Sequence, residues 1–79
     1  MLKNFRSYQL AVKFYKLCEK LKAPKHLQDQ LLRASSSIAL NLAEGGERVT
    51  DADRRRFYRM AMGSIRECQT IRECSDTWG

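Results

Sequence analysis

LQDQLLRASSSIALNLAEGG, residues 27–46, decides the fold of this chain. Its apolar residues recur every three or four positions, a spacing typical of an α-helix. They form two stripes about 120° apart, and an apolar arc that broad contacts more than one neighbouring helix. The first stripe holds Leu27, Leu31, Ala34, Ile38 and Leu42, and the second holds Leu32, Ala39 and Ala43. We therefore predict a central helix over residues 25–44, which starts after Pro24 and ends in a left-handed turn at Gly45-Gly46.

Helical spacing also marks the segments on either side of this central helix. The first segment carries Ala11, Tyr15 and Cys18 on one face, and it ends before Pro24, because the residue that precedes a proline is disfavoured in the α region. The third segment opens with Thr50, a favourable N-cap. We predict helices over about residues 7–22, 25–44 and 51–74 and no strands. Because the loops between them are short, we expect one all-α domain over residues 1–79, an antiparallel up-down helical bundle.

The charge of the chain is unbalanced. Its 79 residues include 15 Lys and Arg against 9 Asp and Glu, for a net charge of +6 and a pI of about 9.6. Such a balance favours nucleic acid or another polyanion as a partner. No apolar run is long enough to span a membrane, and the N-terminus lacks the apolar core of a signal peptide. We therefore expect a cytoplasmic protein with no membrane partner.

Two cationic stripes are the candidate nucleic-acid-binding residues. The lysine stripe consists of Lys13, Lys16 and Lys20, which lie at helical spacing on the outer side of the first predicted helix. The arginine stripe consists of Arg55, Arg59 and Arg66, on the outer side of the third. Arginine can bind phosphate through two parallel hydrogen bonds, so these stripes are suited to an RNA or DNA backbone. The alternative is that both are ordinary solvated surface.

A polar line runs along the narrow non-apolar side of the central helix. It consists of Arg33, Ser37, Asn41 and Glu44, at positions i, i+4, i+8 and i+11. We expect a structural polar network in which Asn41 and Glu44 hydrogen-bond the following loop or set the register of a helix pair. Contact with nucleic acid or a protein partner is a second interpretation. A catalytic role is disfavoured, because the line contains neither a second carboxylate nor a base.

Signals of enzymatic chemistry are absent from the sequence. His26 is the only histidine, and it stands at a helix start without a cysteine or carboxylate motif around it. Cys18, Cys68 and Cys74 are odd in number and form no C-x-x-C pair, which argues against a disulfide framework or a zinc site. We expect three small buried thiols, no cofactor, no metal and no catalytic residue.

The stretch Ser37-Ile38-Ala39-Leu40-Asn41-Leu42-Ala43-Glu44-Gly45 resembles the S-I-x-x-N-[IL]-A-E-G signature of the bacterial four-helix bundle proteins. That family includes the 23S rRNA intervening-sequence proteins and the accessory variability proteins of diversity-generating retroelements. Residues 5–11, FRSYQLA, are similar to the opening helix of the family. Residues 56–67, RFYRMAMGSIRE, are similar to its R-F-x-x-x-A-x-G-S-x-x-E segment. Together the three stretches cover nearly the whole chain in the family's order.

This resemblance implies a bundle that assembles into a ring-like pentamer. For the retroelement members it also implies binding to a reverse transcriptase and to nucleic acid. The chain stops where the family's fourth helix would begin, so we expect three helices with the fourth missing or truncated. The expected function is a non-catalytic, homo-oligomeric nucleic-acid-binding accessory protein, with a retroelement reverse transcriptase as a candidate partner. The alternative is a structural protein–protein adaptor that binds no nucleic acid.

Overall fold

The computed structural model of the protein describes residues 5–78, and the side chains of residues 5–74. Three α-helices follow one another along the chain: α1 (Phe5–Lys20), α2 (Lys25–Glu47) and α3 (Asp51–Trp78). No strand occurs among the described residues, and the predicted all-α helical bundle is confirmed. The Cα atoms span 43 × 19 × 14 Å, so the bundle is long and narrow.

The helix bounds differ from the predicted ones. Helix α1 begins and ends two residues earlier than expected, and α3 continues four residues past Cys74. The predicted left-handed turn at Gly45-Gly46 is wrong, since both glycines are buried inside α2, which continues to Glu47. The chain leaves the helix at Arg48, whose backbone is extended (φ −73°, ψ 143°) and whose N–H donates to the Gly45 carbonyl at 3.2 Å.

Gly45 is required for close packing of two helices. A Cβ atom built on it would lie 2.6 Å from Cε1 of Tyr58 and 3.2 Å from Cβ of Phe57, both on α3. Contacts that short are not tolerated without movement of the neighbouring atoms. The glycine therefore lets the last turn of α2 approach the first turns of α3. From sequence alone, a glycine with this packing role cannot be distinguished from one that ends a helix.

Contacts between the helices show that neighbours run antiparallel. The end of α1 lies beside the start of α2, where Nε2 of Gln28 donates to the Cys18 carbonyl at 2.8 Å. The end of α2 lies beside the start of α3, where Gly45 meets Tyr58. Thr50 caps α3 as predicted, since its Oγ1 accepts a 3.2 Å hydrogen bond from the Asp53 N–H.

Helix α2 is the central element of the bundle. The buried core combines residues of all three helices: Ala11, Cys18, Leu27, Leu31, Ala34, Ile38, Cys68 and Ile71. Among the described residues, no Cα atom of α1 lies within 8 Å of a Cα atom of α3. The two outer helices therefore pack on α2 from different sides, and the broad apolar arc predicted for α2 serves both of them.

Apart from its buried residues, α1 carries a stripe of apolar side chains that stay in contact with water. This α1 apolar stripe consists of Leu10, Phe14, Leu17 and Leu21, which are 59%, 39%, 63% and 51% exposed. The spacing i, i+4, i+7 and i+11 places them on one side of the helix and of the residue that follows it. In the part of the chain that the structure describes, no helix is both long enough and apolar enough to cross a membrane.

Candidate nucleic-acid interface

The lysine stripe lies on the water-facing side of α1. Lys13, Lys16 and Lys20 are all exposed, and at about 3.6 residues per turn they fall opposite Ala11 and Cys18, which are buried against α2. None of the three ammonium groups forms a hydrogen bond or an ion pair with another described residue. Their charge is therefore available to a ligand.

The arginine stripe lies on the water-facing side of α3. Arg55, Arg59 and Arg66 are exposed and fall roughly opposite Ala61 and Cys68, which are buried. The stripe is about 16 Å long at ~1.5 Å per residue. Residues 55–66 contain no acidic side chain, and none of the three guanidinium groups is paired with another described residue. The stripe is thus a row of unpaired cations along one helix, long enough to meet two or three phosphates of one strand.

The structure does not bring the two stripes together within one copy of the chain. Helices α1 and α3 lie on different sides of α2, and each stripe faces away from α2. Helix α2 itself carries two basic residues against three acidic ones, Asp29, Glu44 and Glu47. A helix with a small negative charge therefore separates two positive edges.

Part of the predicted polar line lies in the α2–α3 interface. Asn41 is only 9% exposed, and its Nδ2 donates to the Ser37 carbonyl at 2.8 Å and to Ser37 Oγ at 3.0 Å. Ser64 Oγ on α3 donates to the same Ser37 Oγ at 2.9 Å. Ser64 was not part of the predicted network, because nothing in the sequence pairs a serine of one helix with a serine of another.

The other two members of that line lie outside the interface. The guanidinium group of Arg33 lies on an exposed residue and forms no hydrogen bond or ion pair with another described residue. Glu44 is also exposed, and its carboxylate pairs with Arg48 one turn later. Exposed i,i+4 pairs of this kind add little to stability. The structure thus divides the line into an interface half, Ser37 and Asn41, and a surface half, Arg33 and Glu44.

Arginines also organise the corner between α2 and α3, which sequence reasoning overlooked. Nη1 of Arg54 donates to the carbonyls of Arg48 and Val49 at 2.9 and 3.1 Å, and its other terminal nitrogen pairs with Asp51. The guanidinium carbons of Arg48 and Arg56 lie 4.7 and 4.8 Å from the centroid of the Phe57 ring. In the sequence, the run Arg54-Arg55-Arg56 is the feature that indicates an arginine cluster at this corner. These contacts stabilise the turn and leave Arg55 directed to solvent.

The cysteines form no chemical centre. Burial raises the pKa of the Cys18 thiol, and a hydrogen bond with Ser35 opposes that shift. Burial also raises the pKa of Cys68 to about 11, and the neighbouring Cys18 and Glu67 add to it. Because their Cα atoms are more than 8 Å apart, these two thiols cannot form a disulfide without backbone movement.

Cys74 is exposed, so the prediction of three buried thiols is wrong at that position. At about 100° per residue it lies about 120° round α3 from the buried Cys68, which turns it away from the core. Within the side chains that the structure describes, no group of three or more His, Cys, Asp or Glu residues could hold a metal ion.

Comparison with known proteins adds one finding to this geometry. A family model described as 23S rRNA-intervening sequence protein matches residues 5–78. No curated protein and no solved structure matches the chain at a significant level. The match covers all three helices, both cationic stripes and the polar contacts of the α2–α3 interface.

Proposed function

The chain belongs to the 23S rRNA-intervening sequence protein family, and from that premise we propose that it is a non-catalytic nucleic-acid-binding accessory protein that works as a homo-oligomer. The observation that carries the proposal is the arginine stripe. Arg55, Arg59 and Arg66 form a row of exposed, unpaired guanidinium groups on one helix. A row of this kind is suited to the evenly spaced phosphates of a nucleic-acid backbone.

Binding of this kind is electrostatic. Each cation that neutralises a phosphate releases a condensed counterion, so affinity falls as salt rises. Phosphate contacts position a protein on its ligand but carry no sequence information directly. We therefore expect RNA or DNA binding with weak sequence preference. The family description names 23S rRNA, which makes RNA the first probe to use.

Self-association is the second part of the proposal. The α1 apolar stripe leaves three large side chains, Leu10, Leu17 and Leu21, more than half exposed on a small protein. Burial of such side chains is favourable by about 25 cal/mol per Å² of apolar surface. A second copy of the chain covers this stripe in our proposal, and the family resemblance favours a pentamer. The same resemblance supports a retroelement reverse transcriptase as the protein partner, which co-purification of the two proteins would test.

A triple substitution tests the arginine stripe. Arg55→Gln, Arg59→Gln and Arg66→Gln together remove three charges while keeping side-chain length. We expect weaker binding of a short RNA duplex at every sequence tested, and a plot of log affinity against log salt whose slope is reduced by about 3. The matched control removes the same number of charges elsewhere, at Lys25, Arg33 and Arg72, which are exposed. Equal losses in both variants would contradict a role for the stripe itself.

The structural adaptor is the second candidate function, and the α1 apolar stripe is the observation that favours it. An adaptor would use the same apolar surface but bind no polyanion. If the protein binds neither RNA nor DNA at low salt while it still associates with itself or a partner protein, the adaptor is the correct function. A filter-binding or fluorescence-anisotropy titration with RNA, DNA and a hybrid duplex decides between the two.

Self-association is tested by placing polar side chains on the α1 apolar stripe. We expect the double variant Leu10→Gln, Leu17→Gln to dissociate into single chains of 9.2 kDa, as measured by light scattering. The matched control is Val49→Gln, because Val49 is 91% exposed and lies outside the stripe. A wild-type protein that is already a single chain at micromolar concentration would overturn this part of the proposal.

A further inference from the structure

We infer that each copy of the chain binds two separate segments of nucleic acid at once, one along the lysine stripe and one along the arginine stripe. This inference rests on the proposed function. It adds to that function how many nucleic-acid-binding sites each chain has and where they lie. It also changes the role of the protein, because a chain with two such sites holds two strands, or two parts of one folded strand, next to each other.

The distance between the stripes supports two independent sites. No described Cα atom of α1 lies within 8 Å of α3, and the two stripes face outward from the bundle in different directions. Their charges are therefore further apart than the Debye length of about 8 Å at physiological ionic strength. A phosphate bound at one stripe is largely screened from the cations of the other, so neither stripe completes the site of its neighbour.

The surface between the stripes does not continue the positive charge. Helix α2 contributes Asp29, Glu44 and Glu47 against only two basic residues. On α1, the exposed surface next to the lysine stripe is the α1 apolar stripe. A single strand that followed both stripes would have to pass an apolar surface or one on which cations and carboxylates are paired, where its phosphates gain little.

Each stripe is sufficient to hold a short segment. The lysine stripe is about 10 Å long and the arginine stripe about 16 Å, at ~1.5 Å per residue, so each presents three cations along one helix. Lysine acts on phosphate as a compact point charge and arginine as a planar donor that can bind two oxygens. The two sites therefore differ in chemistry, and we expect the arginine stripe to bind more tightly.

Stoichiometry tests the inference, since it does not depend on how many copies assemble. The probe is a fluorescent RNA strand of about six nucleotides, titrated at low salt and at protein concentrations well above the dissociation constant. We expect the wild-type protein to saturate at two strands per chain. The triple variant Lys13→Gln, Lys16→Gln, Lys20→Gln and the triple variant Arg55→Gln, Arg59→Gln, Arg66→Gln should each saturate at one. The Lys25, Arg33, Arg72 control variant should still saturate at two.

The outcomes separate this inference from the function on which it rests. A wild-type protein that saturates at one strand per chain overturns the second site, while nucleic-acid binding stands. Two strands per chain in both triple variants would overturn the assignment of the sites to the stripes. No binding of the strand at low salt by the wild-type protein overturns the proposed function and this inference together. Circular dichroism of each variant, with an unchanged helical spectrum, shows that any lost site reflects lost charge and not unfolding.

Discussion

The two outer helices pack on α2 in different ways. Helix α3 is positioned by directional contacts: the Ser37–Ser64 hydrogen bond, the close approach at Gly45 and the ties that Arg54 makes to the preceding turn. Helix α1 contacts α2 mainly through buried small side chains, Ala11 and Cys18, and keeps the α1 apolar stripe in water. Its interhelical side-chain hydrogen bonds in the described residues are both made at Cys18: Gln28 donates to the Cys18 carbonyl, and Ser35 bonds to the Cys18 thiol.

This difference shows that the packing of a helix pair can be fixed by directional contacts or only by burial of apolar area. A hydrogen bond and a glycine contact fix register and distance, because both fail with a shift of one residue. Burial of apolar area is nondirectional and tolerates sliding or rotation. The α2–α3 pair is therefore complete within one copy, whereas α1 retains a surface that a further partner can cover.

Truncation of a core leucine on α2 should have the largest effect, because the core supports both outer helices. Leu31 is 4% exposed, and Leu31→Ala should lower the free energy of unfolding by about 2–5 kcal/mol. Leu17→Ala on the α1 apolar stripe is the control: Leu17 is 63% exposed, so we expect a change below about 0.5 kcal/mol for the single chain. Urea denaturation measures both. Similar losses at the two positions would show that the stripe is buried in solution.

The glycine contact gives the next largest effect. Gly45→Ala places a methyl group 2.6 Å from the Tyr58 ring, whereas Gly63→Ala on α3 meets no atom within 4 Å. Both substitutions gain helix propensity, so their comparison isolates the clash. We expect Gly45→Ala to be less stable than Gly63→Ala by about 1–3 kcal/mol in urea denaturation. Equal stabilities would mean that the α2–α3 distance is not set by this glycine.

Loss of the hydrogen bond between α2 and α3 should have a smaller effect. Ser64→Ala removes the 2.9 Å contact with Ser37 and should lower the free energy of unfolding by about 0.5–1.5 kcal/mol. Ser36→Ala is the matched control, since Ser36 Oγ donates only to Arg33 of its own helix. Thermal denaturation followed by circular dichroism measures both. If the two variants melt alike, directional contacts do not distinguish α3 from α1.

The buried thiol of Cys68 on α3 gives the smallest effect, a dependence on pH. The pKa of Cys68 is raised to about 11, so the folded protein keeps this proton where the unfolded chain begins to lose it. Its contribution to stability is complete below pH 9 and is lost as the pH rises toward 11. We expect Cys68→Ala to weaken the decline of stability with pH in this range, relative to Cys74→Ala. Parallel declines in the two variants would contradict a buried Cys68 thiol.

Much of the architecture was predictable because it depends on local periodicity. The spacing of Leu27, Leu31 and Ile38 predicts α2, and Thr50 and Pro24 mark helix starts by their own backbone chemistry. The same periodicity places Lys13 and Arg59 on the outer sides of their helices. The resemblance at residues 37–45 predicts the same family that the match over residues 5–78 shows.

The sequence alone therefore determined the three helices, their apolar faces and the cations opposite those faces, since each of these follows from about 3.6 residues per turn within a single segment. Only the tertiary structure decided how one segment meets another. It extended α2 through Gly45, joined Ser64 to Ser37, exposed Cys74 and placed the two cationic stripes on helices whose described Cα atoms stay more than 8 Å apart. These features depend on distances between residues far apart in the chain, which packing sets and local spacing does not encode.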